Sequence, residues 1–293
     1  MFNGSFVALV TPFNSVGVDT QALKKLVRFH LDNGTHGIVP VGTTGESPTL
    51  SQQEHHQVIE LVTAEVAKQV PIIAGAGSNN TLEAIAYHQH AASVGVDCAL
   101  HVMGYYNRPN QEGIYQHFKA LDAASELPIM AYNVAARAVV DIAPETVASI
   151  ASLPSVIGIK DASCDLSRPI RERLLIDALP AKKDFCFLSG EDPTAVAYNA
   201  NGGQGCISVT ANVAPMLCAQ MQEACANQQY EQALNIQLKL MPLHQALFAE
   251  PSPAGVKYAC SLLGLCEPTC RLPIVPLTDT SKASIKAALD HIN

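Results

Sequence analysis

The sequence lacks any apolar run near the ~20 consecutive residues that a membrane helix requires. It lacks an excess of positive charge. Its formal net charge is −8, so neither nucleic acid nor an anionic membrane surface is an expected partner. Met1 to Thr11 hold no basic stretch followed by a long apolar core, so no secretory signal is expected. Paired cysteines are also missing. Nine is an odd number, and Cys98, Cys186 and Cys206 each stand alone in apolar surroundings, the pattern of reduced thiols in a cytoplasmic protein. There is no low-complexity linker, and so no freely moving second domain is expected. What is present is 48% hydrophobic residues in a chain of 293, enough for one large α/β barrel or two ordinary domains.

Short apolar runs alternate with helical patterns. Phe6 to Val10, Gly37 to Val41, Pro71 to Ala74, Cys98 to Val102, Pro128 to Tyr132, Val156 to Lys160, Phe185 to Leu188 and Gly205 to Val209 read as strands. Between them, Leu23, Leu26, Val27 and Leu31 form one helical stripe that stops at Gly34. Ser51 and Glu54 form a capping box. Asn80 and Glu83 suit the start of a helix ending near Gly95, another helix opens near Gln111, and Pro144 suits a first helical turn. Eight strand–helix units in about 225 residues match a (β/α)8 TIM barrel, which takes about 250. A doubly wound sheet would carry a glycine-rich first turn, which is missing. After Ala214 the strand signal ends. Met221 to Ala249, Gly255 to Leu263 and Ser281 to His291 are helix-patterned, so the expected division is a barrel over 1–213, its last helix reaching about 226, and a helical appendage over 227–293.

In a barrel the C-terminal strand ends face the active site. The run Val156 to Ile159 ends in Lys160. Either this lysine only closes a strand and points into water, or it is held at the rim of an apolar interior. In the second case lost hydration favours a neutral, nucleophilic amine suited to imine chemistry. Gly42 to Ser47, with Thr43 and Thr44, combine tight turning with hydroxyls and N–H groups suited to a small carboxylate, or form an ordinary glycine-rich loop. Tyr105, Tyr106 and Tyr132 lie at strand ends, where tyrosine either packs or relays protons, and Arg137 offers a bidentate fork for a carboxylate. His55-His56 and His88-Gln89-His90 have no cysteine or carboxylate at ligand spacing, so they read as helix-surface histidines and no metal is expected.

The motifs Val41 to Ser47, Tyr105 to Pro109, Tyr132-Asn133-Val134, Ile157 to Lys160, Ile207 to Val213 and Leu240 to His244 occur in one order. In these the chain resembles the dihydrodipicolinate synthase family, within the pyruvate-dependent aldolase superfamily that also holds N-acetylneuraminate lyase. The resemblance runs from Gly4 to about Leu277. It implies a lyase of lysine and diaminopimelate biosynthesis that joins pyruvate to aspartate semialdehyde and gives 4-hydroxy-tetrahydrodipicolinate. By this resemblance Lys160 forms the imine, Tyr132 lies over it, and Thr43 and Tyr106 relay protons, Tyr106 from a neighbouring subunit. Thr44 holds the pyruvate carboxylate, Arg137 the second substrate's carboxylate, and Gly190 and Ile207 line the site. No cofactor is implied, because the imine is the electron sink. A cytoplasmic homotetramer, a dimer of tight dimers, is implied.

The resemblance also marks Ser47, Gln52, His55, Asn79, Glu83 and Tyr105 as positions of a lysine feedback site. Pro48 and Gln52 replace the alanine and histidine of many lysine-sensitive members, so weak inhibition or none is expected. Gly104, Ala135 and Ala138 depart from the proline, proline and threonine usual in the family, and loss of the proline at Ala135 loosens the loop that carries Arg137. Two alternatives stay open: a sister aldolase with another aldehyde or sugar-acid substrate, and a catalytically silent barrel with a binding or regulatory role.

Overall fold

The computed structural model describes residues 2–180 and 184–292. The chain opens with strands β1 (Gly4–Ala8), β2 (Phe13–Asn14) and β3 (Gly17–Val18), helix α1 (Thr20–Asp32), strand β4 (Gly37–Val39) and helix α2 (Gln52–Val66). Then come β5 (Ile73–Gly75), α3 (Thr81–Val94), β6 (Cys98–Val102), α4 (Gln111–Asp122), β7 (Ile129–Asn133), the short α5 (Ala135–Ala138) and α6 (Pro144–Ala151). Next follow β8 (Val156–Asp161), α7 (Arg168–Asp177), β9 (Cys186–Ser189), α8 (Ala195–Ala200) and β10 (Gly205–Ser208). Four helices finish the chain: α9 (Pro215–Ala226), α10 (Tyr230–Leu247), α11 (Ala254–Leu262) and α12 (Asp279–Ile292).

The chain divides into two compact units, Met1–Asn3 with Ile73–Cys206, and Gly4–Ile72 with Ile207–Asn293. In the first unit the strands run parallel in the order β10-β9-β8-β7-β6-β5, with β10 contributing Gly205 and Cys206. Strand β7 is buried throughout and β8 nearly so, which is why both read as unbroken apolar runs rather than alternating ones. Gly158 lets β8 approach β9, since a Cβ there would lie 2.6 Å from the Cys186 carbonyl oxygen. Phe118, Ile114, Ile159 and Phe187 anchor the surrounding apolar core.

In the second unit β1 and β4 pair in parallel, with Phe6 opposite Gly37, and β2 and β3 form a small antiparallel hairpin. Asn212 stitches this unit internally: its Nδ2 donates to the Ala8 carbonyl at 2.8 Å and its Oδ1 accepts from Val10 N at 3.1 Å. Helix α9 packs on β1 and α10, and α12 packs on α10 and α11.

Local signals act as their chemistry dictates. The Ser51–Glu54 capping box opens α2, and Gly95 closes α3 in the left-handed conformation. Glu83 differs, accepting from the Ser78 hydroxyl while Asn80 alone caps α3. The helical pattern over 221–249 is broken at Asn227 to Gln229 into α9 and α10. His55 and His88 are buried rather than on the helix surface, and His88 Nδ1 lies 3.1 Å from Nε2 of the buried His101. Among the described residues no helix is long and apolar enough to cross a membrane.

Candidate active site

Lys160 stands near the end of β8, only 7% exposed. The β7–β8 register sets it beside Tyr132, and its Nζ lies 4.3 Å from the centroid of that ring. Both side chains project from the same sheet face because neighbouring parallel strands share the direction of their pleat. Gly190 follows β9, and its N–H donates to the Asp161 carbonyl at 2.7 Å. A Cβ at Gly190 would meet the Lys160 Cε at 3.0 Å and the Ala162 Cβ at 2.9 Å, so glycine keeps space open beside the amine's stem. Burial pushes the adjoining Glu191 carboxyl up and Asp192 adds to this, while the charges of Lys160 and Arg137 pull it back down. Arg137 itself is exposed on α5. The first unit therefore gathers a buried amine, an aromatic face, a half-buried carboxyl and an exposed guanidinium.

The same unit joins Asn79 to the tyrosine loop. Asn79 Nδ2 donates to the Tyr105 carbonyl at 3.2 Å, and Asn107 Nδ2 donates back to the Asn79 carbonyl at 2.8 Å. Burial raises the Tyr87 hydroxyl first, followed by the charges of Glu83 and Tyr105, so Asn79, Glu83 and Tyr105 share one neighbourhood. Tyr106 is 90% exposed and takes a left-handed φ of 69°.

In the second unit Thr43 and Thr44 lie on a tightly folded loop. Gly45 N donates to the Gly42 carbonyl at 3.0 Å and Glu46 N to the Thr43 carbonyl at 3.1 Å. Gly45 is needed there, since a Cβ would come within 3.0 Å of the Leu9 carbonyl oxygen. The Thr11 hydroxyl donates to the Gly45 carbonyl at 2.6 Å. Ile207 is buried on β10. Ser47 lies in the turn after Glu46, and Gln52 and His55 lie on α2.

The loop's own Glu46 is buried. Its carboxylate reaches the C-terminal segment: Oε1 accepts from Lys257 Nζ at 2.7 Å and Oε2 from Arg271 N at 2.9 Å. Lys257 is fully buried, also donates to the Thr11 carbonyl at 2.8 Å, and lies 4.2 Å from the Phe13 ring centroid. The Arg271 guanidinium lies 4.3 Å from the same ring's centroid. The readable sign was a lone lysine inside the apolar stretch Gly255 to Cys260.

A buried strand-end lysine beside a tyrosine ring, on parallel strands with helical connections, is an arrangement suited to Schiff-base chemistry, and comparison with known proteins places the chain among lyases. The chain belongs to the Dihydrodipicolinate synthetase family, whose model matches residues 1–292. It is 54% identical over 291 residues to the 4-hydroxy-tetrahydrodipicolinate synthase of Roseobacter denitrificans, covering 99% of this chain and 98% of that one. Among solved structures it is similar to the chloride-inhibited dihydrodipicolinate synthase of Acinetobacter baumannii complexed with pyruvate. There the identity is 43% and the TM-score 0.94, over 100% of this chain and 99% of that one. Against dihydrodipicolinate synthase from Thermotoga maritima the TM-score is 0.96 at 36% identity, over 100% and 99% of the two chains. The fold class is that of the family, the (β/α)8 barrel.

Proposed function

We propose that the chain is a 4-hydroxy-tetrahydrodipicolinate synthase, condensing pyruvate with L-aspartate 4-semialdehyde through an imine on Lys160. The observation that carries this reading is the buried Lys160 amine, 4.3 Å from the Tyr132 ring centroid, in a chain of this family.

Lys160 Nζ attacks the ketone carbon of pyruvate, and water leaves to give a protonated imine. The imine draws electrons from the pyruvate methyl group, which loses a proton and becomes the nucleophilic carbon of an enamine. That carbon bonds to the aldehyde carbon of the semialdehyde, whose oxygen takes up a proton to become the hydroxyl while the enamine returns to the imine. The semialdehyde's own amine then attacks the imine carbon, releases Lys160 and closes the ring. The lysine imine is itself the electron sink, so the route needs no metal or organic cofactor.

Tyr132, Thr43 and Tyr106 serve as the proton relay, and Thr44 binds the pyruvate carboxylate. Arg137 takes the carboxylate of the second substrate with its fork, and Gly190 and Ile207 line the pocket. The exposed Tyr106, with its left-handed backbone, suits a side chain that completes the site of a neighbouring subunit. The assembly we infer is a cytoplasmic homotetramer of two tight dimers. The working division is a catalytic barrel over 1–213, its last helix reaching about 226, and a helical region over 227–293. Asn79, Glu83 and Tyr105, with Ser47, Gln52 and His55, form the candidate feedback site, for which Pro48 and Gln52 favour weak lysine inhibition.

Borohydride reduction in the presence of pyruvate, read by mass spectrometry, is expected to leave one adduct, on Lys160. Its absence would remove the imine reading. Turnover with aspartate semialdehyde separates this reading from a sister aldolase, which Ala135 and Ala138 in the Arg137 segment favour. Arg137→Ala is expected to spare trapping of pyruvate and to impair turnover.

A further inference from the structure

Each of the two strands that carry Tyr132 and Lys160 continues by one polar residue. Asn133 and Asp161 pair across β7 and β8, and both are buried. Side chains alternate along a strand, so these two turn to the opposite sheet face from Tyr132 and Lys160. Asn133 Nδ2 donates to Asp141 Oδ1 at 2.7 Å, and Asn133 Oδ1 accepts from Ile142 N at 3.2 Å. Arg168, the first residue of α7, is buried against the same groups. Its Nη1 donates to Asp141 Oδ2 at 2.8 Å and its Nη2 to the Ile142 carbonyl. Nη2 also lies 2.8 Å from Glu172 Oε1, and Nε lies 3.7 Å from Asp161 Oδ2.

One guanidinium therefore ties the back of the lysine strand to the end of the segment running from Val134 to Ile142. That segment carries Arg137, and inside it a single turn, with Ala138 N donating to the Val134 carbonyl and Val139 N to the Ala135 carbonyl at 2.9 Å each, is the regular structure. Helix α5 spans 4 residues, too short to be stable alone. Val139, which is β-branched, is held at a φ of 61°. The segment contains no proline to restrict it. Much of its frame is imposed from outside, through Asn133 at its start and, at its end, through Arg168 and through Gln111, whose Nε2 donates to the Asp141 carbonyl at 2.8 Å. The surrounding charges are consistent with this. Burial raises Asp161, with Arg168 opposing, and burial pushes Glu172 up to about 8. At neutral pH Glu172 thus stays largely protonated beside Arg168.

We propose that Arg168 is a positioning residue for the second substrate: by gripping Asp141 and Ile142 it sets where Arg137 stands relative to the imine. It touches no substrate itself. This rests on the role given to Arg137 above. The test uses Arg168→Lys, Asp141→Asn and Arg137→Ala in the full-length enzyme. Asp141→Asn is the safer variant for folding, because that side chain is 48% exposed.

Three readouts separate a positioning role from a merely structural one: borohydride trapping of pyruvate, KM for pyruvate and KM for aspartate semialdehyde. Asp141→Asn and Arg168→Lys are expected to raise KM for the semialdehyde about tenfold or more. KM for pyruvate should stay within about twofold, with trapping unchanged. In an Arg137→Ala background Asp141→Asn should add little. The proposal is overturned if folded Asp141→Asn leaves the semialdehyde KM unchanged while Arg137→Ala raises it, or if trapping and both KM values fail in parallel. If Arg137→Ala itself leaves the semialdehyde KM unchanged, the role of Arg137 falls and the proposal with it.

Discussion

Replacing Lys257 with methionine removes a cation that is 0% exposed and sits between the Glu46 carboxylate, the Thr11 carbonyl and the Phe13 ring. Methionine fills similar space, so the main loss is electrostatic. Breaking a buried ion pair from one side costs roughly 3–5 kcal/mol, because the remaining charge is buried without its partner. Glu46 keeps the Arg271 N–H at 2.9 Å, which places the loss near the lower end. About 3 kcal/mol in a chain of 293 residues corresponds to a fall in Tm of about 5 °C. Thermal unfolding followed by circular dichroism measures it. Glu46 also shapes the loop that carries Thr43 and Thr44, so KM for pyruvate should rise in the surviving enzyme. Adding Glu46→Gln to Lys257→Met removes the orphaned charge and should recover a large part of the lost stability. The reasoning fails if the single variant melts with the parent, or if the double variant is worse than the single ones combined.

Gly190→Ala should slow imine formation on Lys160 by about tenfold or more, since the new methyl would press on Lys160 Cε at 3.0 Å; equal trapping rates in variant and parent would contradict this. Acid should destabilise the fold below neutrality through its buried histidines. Burial lowers His30 to about 3 and His88 to about 4, so between pH 6.5 and those values the unfolded chain binds more protons than the folded one. The loss is absent above pH 6.5, grows as pH falls, and reaches about 2 kcal/mol for each histidine at pH 5. Urea unfolding at pH 7 and pH 5 reads it, and equal midpoints at the two values would refute it.

Strands such as β7 and β8 were legible because burial on both faces demands continuous apolar residues, and few other arrangements need them. Caps were legible because they act within four residues, as Ser51 and Glu54 do. The hairpin β2–β3 left no sign, since two-residue strands make no pattern. His88 was misread as a surface residue because α3 is rich in alanine and offers no clear apolar stripe. Its inward face is decided by His101 on β6, which pattern within a helix cannot reveal. The grip of Lys257 on Glu46, 211 residues apart in sequence, and that of Arg168 on Asp141 are likewise set by tertiary structure, with no local trace in sequence.

The unit holding Thr43 and Thr44 is built from two separated stretches of chain, whereas Lys160 and Tyr132 lie in one unbroken stretch between them. This matters during translation. Glu46 and its Arg271 partner are 225 residues apart. At bacterial and eukaryotic elongation rates that interval lasts roughly 10 to 45 seconds. For that time the threonine loop lacks its C-terminal anchor, whereas the stretch that carries Lys160 is complete at Cys206, before Arg271 is made. A nascent chain that has reached Cys206 therefore holds the whole lysine-bearing stretch but not yet the residues that anchor the threonine loop.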